Sequence, residues 1–162
     1  MNVKLKVIVA MMIVSAGLVS CDIEKKMIEA EEGLIRDYIQ QNSITVQPTA
    51  SGLYYIETLA GAGENPDDGD IVGVYYTLWF LTGEKLAELI EGEPFEFTIG
   101  EDQVIAGFEE GIRLMKHGGK AKLVIPSKLA YGRTGDPWGI IPGYTPLLYE
   151  VELKTLSVGP GK

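Results

Sequence analysis

Between Pro48 and the C-terminus, five short segments read as strands and only one as a helix, and this imbalance limits the fold more than any other feature. The strands are Leu53 to Leu59, Ile71 to Leu81, Phe95 to Ile99, Ala121 to Ile125 and Leu147 to Leu156. The last alternates well, with Leu147, Tyr149, Val151 and Leu153 on one face and Glu150, Glu152 and Lys154 on the other. The helix spans Asp102 to Lys116, with Val104, Ile105, Phe108, Ile112 and Met115 on one side. Thr82-Gly83 suits a hairpin, and Gly61 to Asp70 is turn-rich. An α+β domain follows, in which an antiparallel sheet packs against one helix. With 162 residues and 46% apolar composition, there is material for one such domain plus appendages.

The appendages lie at the ends. Lys4 and Lys6 precede an apolar run from Val7 to Val19 that is too short for an ordinary membrane span, so residues 1–20 read as an export signal. The run closes in Leu18-Val19-Ser20-Cys21, which resembles the lipobox of bacterial lipoproteins, and Cys21 is the only cysteine in the chain. That resemblance implies acylation of Cys21 and an exported protein held at a cell-envelope membrane by lipid alone; the bland alternative is a chance cysteine after an ordinary signal. From Asp22 to Gln41 the residues favour an amphipathic helix with a narrow stripe of Ile23, Met27, Ala30, Leu34 and Tyr38. Docking on the domain, spacing it from the membrane, or pairing with a second copy all suit such a stripe, and the oligomeric state stays open. The division is 1–20 signal, 21–47 helical segment and linker, 48–157 domain, and 158–162 tail.

Several chemistries are excluded. The formal charge of −9 becomes −11 once residues 1–20, with two lysines and no acid, are set aside. Such a chain does not suit nucleic acid or a polybasic membrane contact. One cysteine rules out an intrachain disulfide framework, and one histidine leaves no ligand set for a metal. His117, beside Gly118-Gly119, reads as a surface turn residue. Glu109-Glu110 are helical neighbours that point apart and form a solvated face rather than an acid/base pair. Gly61-Ala62-Gly63 and Gly119-Lys120-Ala121 fail as phosphate loops, and no Gly-x-Ser-x-Gly elbow is present. Chemistry done by an apolar pocket is left, for which Tyr76, Phe95, Phe97, Phe108, Tyr131, Trp138 and Tyr149 offer aromatic walls; such a set also serves as plain core.

The order of several motifs sharpens this. Val74-Tyr75-Tyr76-Thr77, Pro94 to Gly100, Gln103-Val104-Ile105-Ala106-Gly107-Phe108-Glu109-Glu110-Gly111, Lys120 to Pro126, Leu129-Ala130-Tyr131-Gly132, Ile140-Ile141-Pro142 and Leu147 to Leu153 together resemble the FKBP-type peptidyl-prolyl isomerases over about Leu53 to Leu156. The resemblance implies a strongly curved antiparallel sheet wrapped around one helix, with a pocket between them for a prolyl ring and no cofactor. It implies Tyr131, Ile105, Phe97 and Tyr149 as catalytic, and Tyr76, Leu86, Ala87, Val104, Phe108, Ile140 and Ile141 as substrate-binding. The Tyr131 phenol and the Ile105 N–H would donate to substrate carbonyls, and proline-containing polypeptides would be the partners. Two departures stand out: Leu86-Ala87 occupies the usual Phe-Asp, which removes a carboxylate from the pocket, and Phe108 replaces a common tryptophan floor. Trp138 looks like an extra residue in the loop from Arg133 to Gly143, either a lid over the substrate or a side chain packed on its own turn. Three readings follow: an isomerase for exported chains, a proline-segment binding module, or a spacer whose N-terminal helix makes the functional contact.

Overall fold

The computed structural model describes the backbone of residues 3–159 and the side chains of residues 22–159. The elements run α1 (Val3–Gln41), β1 (Tyr54–Leu59), β2 (Ile71–Phe80), β3 (Lys85–Leu89), β4 (Phe95–Thr98), α2 (Ala106–Arg113), β5 (Lys120–Ile125), a 3-10 turn (Ser127–Leu129) and β6 (Leu147–Ser157). One six-stranded sheet has the order β1-β5-β6-β2-β3, with β4 also on β2, and every pairing is antiparallel. β2 is the spine. Along one edge it pairs with β6 from Ile71↔Ser157 to Phe80↔Leu147, and its other edge is shared by β4 on Ile71 to Val74 and β3 on Tyr76 to Trp79. At the bulge after Gly73 a Cβ would collide with the Thr155 hydroxyl, so only glycine fits where the sheet bends.

β6 alternates as its sequence requires. Leu147, Tyr149, Val151 and Leu153 are buried on the concave face, while on the convex face Glu150 pairs with Lys122 at 2.7 Å and Glu152 with Lys120 at 3.1 Å. α2 fills the concavity. Gly107 and Gly111, one turn apart, let it press on β5, because a Cβ at either would strike Ile125 or Leu123.

Three elements differ from the sequence reading. α2 is shorter than Asp102 to Lys116: Asp102 adopts a left-handed φ of 51°, Ile105 is extended at φ −62° and ψ 143°, and the chain leaves the helix at Leu114. The apolar spacing outlasts the helix because Val104 and Met115 are packed in the core from outside it. β3 escaped notice because Lys85-Leu86-Ala87-Glu88 is poor in strand formers; its hairpin to β2, closed by Phe80 N–H to Glu84 O at 2.9 Å, sets its conformation. α1 begins at Val3 rather than Asp22 and ends where Ser43 turns left-handed at φ 52° and Ile44 N–H bonds back to the Ile39 carbonyl.

α1 docks on the convex face, but of the expected stripe only Tyr38 takes part. Ile35, Tyr38 and Ile39 pack on Tyr54, Ile56, Trp79, Leu81, Val124 and Leu148, whereas Ile23, Met27, Ala30 and Leu34 are exposed. The contacting face carries a buried charged residue, Glu31, one turn before Ile35, which breaks the apolar pattern that sequence periodicity relies on. The expected lipid site, Cys21, lies outside the described side chains.

Candidate functional site

Rings from four elements meet where α2 crosses the sheet. Phe108 of α2 lies 4.8 Å from Tyr149 of β6 and 6.0 Å from Phe97 of β4, centroid to centroid, and Tyr76 of β2 stands 5.8 Å from Tyr149 and 6.2 Å from Phe108. Tyr76 and Phe108, 78° apart in plane, meet edge to face as aromatic quadrupoles prefer, and the other pairs are tilted by 45° to 55°. Phe95, partly exposed, extends this floor outward, 5.9 Å from Phe97. Ile141 belongs to the main hydrophobic core that holds these rings, and Leu86, Val104, Ile105 and Tyr131 pack against that core. Nine of the expected residues are therefore gathered. Two are not: Ala87 is exposed opposite Leu78 in the β2–β3 hairpin, and Ile140 stands on the rim at 64% exposure.

Two of the residues packed on this core carry unused donors. The Tyr131 phenol and the Ile105 N–H have no protein acceptor among the described residues, while the Ile105 carbonyl receives Phe108 N–H at 3.0 Å and Glu109 N–H at 3.2 Å. Ile105 precedes the first turn of α2, where the helix leaves N–H groups unused. Burial first, then the nearby Asp136 and Tyr76, raises the Tyr131 pKa above the usual phenol value. Tyr149 is raised further, chiefly by burial and then by Tyr131 and Tyr76. Both phenols are thus neutral O–H donors at neutral pH.

The loop after Tyr131 is held by a residue that the sequence reading missed. Asp136 is buried, and its carboxylate accepts Trp138 N–H at 3.0 Å and Ile141 N–H, while Asp136 N–H donates to the Ile141 carbonyl at 2.9 Å. The only available signal was Asp-Pro inside a glycine-rich loop, the composition of an Asx turn. Its effect is to turn Ile141 inward and Trp138 outward. Trp138 is 78% exposed, which removes the option that it packs on its own turn.

Elsewhere the polar groups are structural. Glu109 binds Arg113 at 2.9 Å and accepts Gly100 N–H, and both Glu110 oxygens accept the Ser51 hydroxyl, so the two acids do not act together. His117 is exposed, with its carbonyl on Ala62 N–H. Among the described residues, no group of three His, Cys, Asp or Glu is placed to hold a metal. A depression of about 460 Å³ on the sheet, lined by Thr58, Tyr75, Tyr76, Thr77, Lys122 and Glu150 among others, is wide and as polar as it is apolar, and lacks Phe97, Phe108 and Tyr149 of the α2 site.

Residues 62–154, which include every gathered site residue, match the family model of FKBP-type peptidyl-prolyl cis-trans isomerases. The chain is 42% identical over 116 residues to the FKBP-type peptidyl-prolyl cis-trans isomerase FkpA of Escherichia coli K12, covering 71% of this chain and 42% of that protein, so it spans less than half the length of that relative. It is 41% identical over 103 residues to the FK506-binding protein of Neisseria meningitidis serogroup B, covering 63% of this chain and 94% of the relative. The crystal structure of Escherichia coli FkpA superposes with a TM-score of 0.70 at 34% identity, covering 94% of this chain and 73% of that one. A peptidyl-prolyl isomerase from Pseudomonas syringae pv. tomato superposes with a TM-score of 0.68 at 30% identity, covering 82% and 95%. The chain belongs to the FKBP-type peptidyl-prolyl cis-trans isomerase family.

Proposed function

We propose that the protein accelerates rotation about Xaa–Pro bonds in exported polypeptides, using the apolar site between α2 and the sheet. The observation that carries this reading is the pair of donors without a protein acceptor among the described residues, the Tyr131 phenol and the Ile105 N–H, on residues packed against the core that holds four rings. The planar prolyl amide is charge-separated and resists rotation with a barrier of roughly 18–20 kcal/mol. Twisting removes that charge separation, so a dry site lined by Phe97, Phe108 and Tyr149 destabilises the planar amide more than the twisted one. Tyr131 and Ile105 then hold the substrate carbonyls while the bond turns. Uncatalysed exchange takes roughly tens to hundreds of seconds, slow enough to delay a folding chain.

Lys4, Lys6, the apolar run and Cys21 support export and attachment at a cell-envelope membrane through lipid on Cys21. Among the described residues no helix is long and apolar enough to cross a membrane. Labelling of the chain with radioactive palmitate, abolished in Cys21→Ser, is the expected result; label retained in that variant contradicts the anchor.

Ala87, exposed and without a carboxylate, favours a second reading in which the site binds proline segments without accelerating them. Exchange measured by NMR on a short Xaa-Pro peptide, with wild type and Ala87→Asp, separates the two. Acceleration by wild type supports the isomerase. Saturable binding without acceleration in wild type, with acceleration gained in Ala87→Asp, supports the binding module.

A further inference from the structure

Among the described residues of α1, its one buried acid reaches the segment that carries Tyr131. Glu31 is 8% exposed and sits on the face of α1 that meets the domain. Its Oε1 accepts the Ser127 N–H at 2.5 Å, and its Oε2 accepts the Ser127 hydroxyl at 2.6 Å, across 96 residues of chain. Ser127 is itself buried, and its carbonyl accepts Ala130 N–H at 2.8 Å and Gly132 N–H at 2.7 Å, the residues on either side of Tyr131. A carboxylate on α1, one serine and two backbone bonds thus form a continuous path to the phenol. The path starts from a fixed point, because Ile35, Tyr38 and Ile39 hold α1 against the sheet four to eight residues further on.

Docking alone does not account for Glu31. Among the described residues it has no cationic partner, and an ion desolvated without a counter-charge weakens an interface that an apolar side chain would strengthen. The other polar contact in the region, Glu24 to Arg133 at 3.9 Å, is exposed on both sides and contributes little. What the carboxylate does supply is direction: two charge-assisted bonds fix both the backbone and the side chain of the residue that starts the 3-10 turn.

We infer that Glu31 is a positioning residue for prolyl isomerisation, holding the Ser127–Gly132 turn so that the Tyr131 hydroxyl points at the substrate carbonyl; this rests on the isomerase reading above. The N-terminal helix then contributes to the site from behind, without touching substrate. Glutamine at position 31 preserves both bonds, with its carbonyl accepting Ser127 N–H and its amide donating to the Ser127 hydroxyl.

The test uses the full-length chain and four variants, Glu31→Ala, Glu31→Gln, Ser127→Ala and Tyr131→Phe, together with the double variant Glu31→Ala/Tyr131→Phe. Exchange kinetics on an Xaa-Pro peptide and the NMR signals of the Tyr131 ring are both recorded. Glu31→Ala is expected to lower kcat about tenfold with KM little changed, as a small misplacement of a catalytic group does. Glu31→Gln restores the rate, and Ser127→Ala, which removes one bond of the two, gives a smaller loss of the same kind and stands in if Glu31→Ala does not fold. In Tyr131→Phe the Glu31→Ala change has no further effect on kcat, since both act through one hydroxyl. A loss that adds in full to that of Tyr131→Phe, or one that Gln does not restore, overturns the proposal. If wild type shows no acceleration, the isomerase reading falls, and the ring signals alone decide Glu31: displaced in Glu31→Ala and recovered in Glu31→Gln upholds the positioning, and unmoved signals overturn it.

Discussion

In the proposed reaction Tyr131 serves as a donor only while its proton stays on, and burial holds the pKa of Tyr131 and of the neighbouring Tyr149 above the usual phenol value. Raised phenol pKa values mean that the exchange rate should be level from about pH 6 to pH 9 and fall only beyond the ordinary phenol range near 10. Stability follows the same direction. A group whose folded pKa exceeds its unfolded value stabilises the fold below the unfolded pKa and loses that contribution as pH rises through the folded one, so these tyrosines weaken the fold only above about pH 10. A titration of kcat/KM and of urea midpoint across pH 6 to 11 checks both; a rate that changes with a midpoint near 7 contradicts the assignment. Tyr131→Phe, which removes one hydrogen bond of about 1 to 1.5 kcal/mol, should slow exchange about tenfold while leaving thermal stability nearly unchanged. Tyr131 was legible because it lies in a motif, Leu129 to Gly132, that the family resemblance singles out. Glu31 and Asp136 were not, since one is a single acid in a charged helix and the other a single acid in a loop, and only tertiary burial distinguishes them from solvated neighbours.

Among the elements, strands were easier to read than ends. β6 and β2 could be placed from sequence because alternation and β-branched or aromatic residues agree there, whereas β3 is held by its partner rather than by its own propensity. The limits of α2 were overdrawn because buried residues outside a helix keep its spacing by accident. Its contact with β5 makes a further prediction. Gly107→Ala places a methyl against Ile125 and the backbone carbonyl of Leu129, so it should destabilise the domain by about 1–3 kcal/mol despite the better helix propensity of alanine. Thermal unfolding reads the sign directly, and a more stable variant would show that α2 has room to move. On the opposite face, Ile35→Ala removes the most buried apolar side chain by which α1 docks, and should cost about 2 kcal/mol and expose the amides near Tyr38 and Ile39 to faster hydrogen exchange.

Across the whole molecule, one curved sheet is covered on both sides, by α2 within and by α1 without, and the candidate site lies at the inner seam. The curved sheet and the ring cluster could be inferred because several motifs fall in a fixed order along the chain. The seating of α1 could not, because its docking face contains Glu31 and, of its expected stripe, only Tyr38 reaches the sheet. The account's central claim is that the gathered rings and donors form a catalytic surface rather than a core that happens to be aromatic. The most direct measurement is NMR exchange on an Xaa-Pro peptide with wild type and Phe97→Ala at matched folded fractions, judged by thermal unfolding. Acceleration by wild type that is lost, or lowered at least about tenfold, in folded Phe97→Ala is the predicted result, while equal rates for the two folded proteins would contradict the assignment.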